Sequence, residues 1–212
     1  MSNPTPQQWA SRAGAAAQGG DAPGALRILD EARQTYPQEA GLWHYSGKLA
    51  LQAGNPGAAA DFFARASNLA GGKVEFAIDQ AIALTSAGRL REALDLLAHI
   101  ESAGTGRASY WSARANAARS HGDAADAADW YERALALEPQ RATALHGRAG
   151  LALERGEADS VARFDKALQV DAGNAQLWLG KAQALDVEGD TRGARTIIEQ
   201  VVAQAPHYTD AL

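Results

Sequence analysis

Residues 108–141 read ASYWSARANAARSHGDAADAADWYERALALEPQR, and the landmarks in this stretch return along the whole chain. With Ala108 as position 1, they are Trp111 at 4, Ala115 at 8, Gly122 at 15, Ala127 at 20, Tyr131 at 24, Ala134 at 27 and Pro139 at 32. A step of 34 residues reaches Trp9, Ala13, Gly20, Ala25, Leu29, Ala32 and Pro37 in residues 6–39. It reaches Trp43, Gly47, Gly54, Ala59, Phe63, Ala66 and Gly71 in residues 40–73, and Ala77, Ala81, Gly88, Ala93, Leu97, Ile100 and Thr105 in residues 74–107. Residues 142–174, one residue shorter after Gly156, give Leu145, Ala149, Gly156, Ser160, Phe164, Ala167 and Ala172. Residues 175–208 give Trp178, Ala182, Gly189, Ala194, Ile198, Val201 and Pro206. That makes six copies in register, and fixed-period self-similarity is the mark of repeat architectures.

Positions 4, 8 and 11 share one face of a helix, and 20, 24 and 27 repeat that spacing on a second. Glycine at 15 suits the left-handed residue that ends a helix, and proline at 32 cannot continue the next one. Each copy therefore predicts a helix–turn–helix hairpin. Small residues at 8 and 20 let the paired backbones approach, and the large residue at 4 fills the gap. One such buried side chain contributes about 1.5–3 kcal/mol, so a lone hairpin is not stable and neighbours must stack. An ordinary bundle would share the 3.6-residue periodicity, but it would not hold glycine in one phase from Gly20 to Gly189.

Composition narrows the function classes. Apolar residues make up 46% of the 212, mostly alanine, and charged residues only 21%, which argues against disorder. The net charge is −5 and neither half is basic, so nucleic acid is not an expected partner. Without cysteine, disulfides, thiolate metal sites and cysteine nucleophiles are excluded. The start, MSNPTPQQWASRAG, lacks the pattern of a secretory signal, and no apolar run reaches membrane-spanning length. A soluble cytoplasmic protein without membrane partners is expected, and the Ala/Arg-rich composition hints at a bacterial source.

The seven landmark positions resemble those of the tetratricopeptide repeat family over residues 6–208. The third copy departs by lacking the tryptophan and proline, and the fifth by one residue. The resemblance implies an all-α fold, a right-handed superhelical solenoid of six repeats after a tail at residues 1–5. It also implies a protein or peptide partner held in a concave groove lined by first helices at positions 2, 5, 6, 9, 12 and 13. Those slots hold His44, Tyr45, Lys48 and Gln52, then Glu75 and Asp79, then Ser112, Asn116 and Arg119, then His146 and Glu154, and finally Gln183, with Gln7, Gln18, Ser86, Ser109, Gln176 and Asp186 beside them. A related subclass clamps the acidic tails of chaperones. Its pattern is missing, because the required slots read Ala10, Gly14, Tyr45, Glu75 and Asp79, or Ser112, Asn116, Gly147, Gln176 and Gly180. No chaperone-tail binding is expected.

Chemistry-bearing motifs are sparse. His44, His99, His121, His146 and His207 form no HxH or HExxH pattern, so no metal site, catalytic residue or cofactor is expected. Gly104-Thr-Gly-Arg-Ala-Ser109 has the glycines of a phosphate loop but follows a helix where such a loop needs a strand. Position 7 reads Arg12, Ser46, Gln80, Arg114, Arg148 and Lys181. Either long stems lie over exposed alanine surface, or a row of cations meets acids of adjacent copies or of a partner. At the far end, Thr209–Leu212 would begin a seventh copy, and Ile197, Ile198, Val201 and Val202 cannot all face inward. That end predicts either a longer protein or self-association. In bacteria, arrays resembling this one often precede an enzyme domain such as a sulfotransferase, so an accessory role with the active site downstream is the alternative function.

Overall fold

The computed structural model describes residues 3–204, and among them thirteen helices and no strand. They are α1 (Pro6–Gln18), α2 (Ala22–Thr35), α3 (Ala40–Gln52), α4 (Pro56–Leu69), α5 (Val74–Ser86), α6 (Leu90–His99), α7 (Glu101–Gly104), α8 (Ala108–His121), α9 (Ala124–Leu137), α10 (Ala142–Glu154), α11 (Ser160–Val170), α12 (Ala175–Val187) and α13 (Thr191–Gln204). The chain divides into two compact units, residues 1–105 and 106–212. Thr209–Leu212 lie outside the described residues.

Local chemistry sets the helix boundaries. Thr5 and Gln8 form a reciprocal capping box at the start of α1. Asp21 caps α2 through Gly24 N at 2.8 Å, and Asn55 caps α4 through Ala58 N at 3.1 Å. The hairpin turns use the fifteenth-position glycine. Gly122 sits at φ 103°, and Gly20, Gly54, Gly88, Gly156 and Gly189 all have positive φ, where a side chain would be strained.

In the first unit each helix packs on the next, and α1 also reaches α3. Its core joins Trp9, Ala13, Ala25, Leu29, Ala32, Leu42 and Leu49. In the second unit α8, α10 and α12 contact one another in turn, with α9, α11 and α13 behind them. There the residue at position 24 plugs the first helix of the next hairpin. Tyr131 meets Gly147 and Phe164 meets Gly180, so closely that an added Cβ would overlap either ring.

The position-7 row is mostly occupied by partners. Ser46 is fully buried and receives a hydrogen bond from Arg33. Arg148 is 7% exposed and reaches Glu132 at 3.1 Å and Glu157 at 2.7 Å. Lys181 meets Asp165 at 2.6 Å, and Arg114 lies 4.4 Å from the Trp130 ring. The open-stem reading therefore fits Arg12, which is exposed above Trp9 at 4.8 Å, and fails for Arg148 and Lys181. At the end of α13, Ile197 and Val201 turn inward, while Ile198 and Val202 stay half-buried.

Candidate partner-binding surfaces

The sequence-predicted groove residues fall into two groups, one in each unit. In the first unit His44 and Asp79 find each other, with His44 Nε2 lying 2.7 Å from Asp79 Oδ2 and tying α3 to α5. The His44 ring stacks on Phe76 at 4.3 Å and tilts against Phe63 at 5.3 Å. Tyr45 is half-buried against the Trp9 core, and Glu75 is half-buried on α5. Lys48 and Gln52 are exposed. This surface is thus largely filled by its own side chains.

In the second unit the same slots leave a depression of about 580 Å³. Asn116 and Arg119 of α8 line one side, His146 and Glu154 of α10 the middle, and Gln183 of α12 the other. Its depth comes from Gly147, Gly150 and Gly180, which place no side chain on the inner face. Arg119 spans α8 and α10, its Nε donating to Glu154 at 3.0 and 3.2 Å. That hydrogen bond holds the Arg119 guanidinium above its ordinary pKa. Tyr131 donates its hydroxyl to Asn116 Oδ1 from beneath, and burial pushes the Tyr131 pKa up to about 12. His146 Nε2 lies 3.5 Å from Asp171 Oδ2. The two full charges at the mouth of the depression therefore neutralise each other. What remains open is a set of neutral hydrogen-bonding groups, including Gln183 and Thr143.

Ser112 departs from expectation. It is 3% exposed; its hydroxyl donates to Ala108 O at 2.9 Å and accepts from Arg141 Nε at 3.1 Å. Arg141, the last residue of its copy, folds over it, so Ser112 offers nothing to the groove. Thr143 was missed, although it occupies the second position of its copy, itself a groove slot.

Among the described residues no helix is long and apolar enough to cross a membrane. Curated proteins give no match. Among solved structures the chain is similar to PilW, a widely conserved type IV pilus biogenesis factor, at 17% identity over 97% of this chain and 96% of that one, with a TM-score of 0.81. It is also similar to the Cut9–Hcn1 hetero-tetramer of APC/C, at 14% identity and TM-score 0.85, covering 98% of this chain but 41% of that one. A third is YrrB, a TPR protein with an unusual peptide-binding site, at 14% identity, 84% and 92% coverage and TM-score 0.57. Identities this low speak for the fold alone. Tetratricopeptide repeat families match residues 11–73, 108–141, and 50–117 with 158–212, and with the recurring glycine turns and helical hairpins already seen, they show that the chain belongs to the tetratricopeptide repeat family.

Proposed function

We propose that the protein is a non-catalytic scaffold that holds an extended segment of a partner protein in the depression of its second unit. The observation that carries this is the depression of about 580 Å³ walled by three successive first helices, with its charges internally paired and neutral hydrogen-bonding groups left open. An extended chain brings unpaired N–H and C=O groups, and amide side chains such as Gln183 supply both donors and acceptors for them. Paired charges at the mouth add little long-range attraction, so affinity rests on short-range fit and binding is only weakly salt-dependent. YrrB, similar in fold, is described as having a peptide-binding site, which supports the same use here.

The test fills the depression. Thr143 and Gln183 are exposed, so Thr143→Arg/Gln183→Arg alters the lining without disturbing the core. Native protein immobilised in a lysate of its source cells should retain a set of proteins that the double variant loses. Retention of the same set by both would place binding elsewhere.

A further inference from the structure

We propose that the terminal face of α12 and α13 binds an amphipathic helix of a partner polypeptide, one carrying a small residue followed directly by Lys or Arg. The second unit contains the recognition rule twice. At the joint between α9 and α10, the pair Tyr131-Glu132 faces Gly147-Arg148. The ring fills the space above the glycine, and Glu132 meets Arg148 at 3.1 Å. At the joint between α11 and α12, Phe164-Asp165 faces Gly180-Lys181 in the same way, with Asp165 and Lys181 2.6 Å apart. A knob followed by an acid thus reads a hole followed by a cation.

In α13 the equivalent pair is Ile198-Glu199. Ile198 is half-buried at the edge of a depression of about 730 Å³, lined also by Leu179, Gly180, Ala194 and Glu199. Glu199 is 62% exposed and pairs with Arg195 of its own helix, itself 80% exposed. The knob and the acid are both in place, and among the described residues no helix lies upon them. The occupied joints also give the rest of the partner's pattern. Three residues before the small one stands an apolar side chain, Ala144 or Leu177, and four after it another, Leu151 or Ala184; all four are buried.

A second copy of this chain fits poorly. The outer face of α1 does carry a small-then-cation pair, Ser11-Arg12, but the exposed Gln8 stands in the apolar slot three residues before it. The small-then-cation faces of α10 and α12 are already engaged within the unit. The rule has an internal check. In the first unit Phe63 is followed by Ala64, not an acid, and the matching position of α5 is the uncharged Gln80. At the first joint Asp30 is met at 3.1 Å by the buried Arg33 of its own helix, and α3 correspondingly offers Ser46; the Arg195 that meets Glu199 is instead 80% exposed, a solvent-screened pair that an incoming cation can replace.

Gln176, Gly180 and Gln183 border both depressions, so the inference is separated from the groove reading by Ile198 and Glu199, which do not line the groove. The probe is a labelled synthetic peptide of residues 174–189, the sequence of α12 with its flanks, titrated into the full chain by fluorescence anisotropy. Saturable binding is expected. Gly180→Leu in the peptide should abolish it, and Lys181→Glu should weaken it at least about tenfold, as expected for reversing a close interfacial charge. Glu199→Lys in the protein should restore the Lys181→Glu peptide. Absence of saturable binding, or binding indifferent to both peptide changes, overturns the proposal. So does a sedimenting dimer of the protein alone that Ile198→Asp dissolves, since the face would then belong to a second copy.

Discussion

Where α4 meets α5 in the first unit, Phe63 has His44 beside its ring, and the sixth residue of α5 is Asp79, turned to grip that histidine. Where α9 meets α10 in the second, the sixth residue is Gly147, and Tyr131 alone fills the joint. A side chain at that slot closes the inner surface over the joint; a glycine lets the neighbouring ring rise and leaves the surface hollow. The same repeat therefore yields a sealed region and an open one through one position. The means of fastening also differ. The first unit leans on aromatic and cation–π contacts, with Arg33 lying 5.0 Å from Trp43 and 4.5 Å from Phe62. The second adds acid–cation pairs at each joint.

The contrast can be broken by mutation. Phe63→Ala should have the largest effect, about 3–5 kcal/mol for deleting a buried aromatic ring. Hydrogen exchange followed by mass spectrometry should show the loss concentrated in residues 40–86; an equal loss across both units would mean they do not open separately. Next comes Gly147→Leu, which forces a side chain into the Tyr131 ring and should cost about 1–3 kcal/mol by urea denaturation. The same slot on α3 holds Tyr45, and Tyr45→Leu keeps a large apolar group and should cost less. Glu132→Gln takes one carboxylate from both Arg148 and Arg163, which it meets at 3.1 and 2.9 Å. Glu132 is half-exposed and Glu157 still serves Arg148, so a loss of about 1 kcal/mol is expected, shrinking in high salt.

The smallest effect is a pH dependence. The folded Tyr131 pKa, about 12, lies above the roughly 10 of an unfolded tyrosine. The neutral phenol is thus favoured by folding. Its contribution is intact below about pH 10 and fades as pH rises through the folded value. Phenolate absorbance should show a transition near pH 12 that Tyr131→Phe removes; if the variant's titration is unchanged, Tyr131 is not held in its neutral form.

The hairpins were legible because their signals are local. A positive-φ glycine and a helix-spaced apolar face can be read within one copy, and Gly122 or Trp111 needs no knowledge of its neighbours. The site was legible only in outline. Asn116, Arg119, His146, Glu154 and Gln183 line one depression and His44 turns instead to Asp79, but which surface is hollow depends on Gly147 and Gly180, whose effect is felt through rings in the preceding hairpin. Ser112 was misjudged for the same reason, since the side chain that covers it arrives from Arg141, twenty-nine residues later. For Arg148 the sequence leaves a solvent-facing stem and a paired cation both open, because its acid Glu132 stands sixteen residues earlier, across a turn. Pairings of this kind follow from the stacking distance between copies, which no single copy encodes.

The Glu132–Arg148 contact also bears on how such chains can be recombined. Its two ends belong to different hairpins, so a cut in the loop at residues 138–141 separates them even though it leaves every helix whole. Exchanging modules at loops would strand an acid on one fragment and a cation on the other. Cuts inside the hairpins, at the glycine turns, would keep Glu132 with Arg148 and Asp165 with Lys181, parting only secondary pairs such as Arg148 and Glu157, and should give chimaeras that fold.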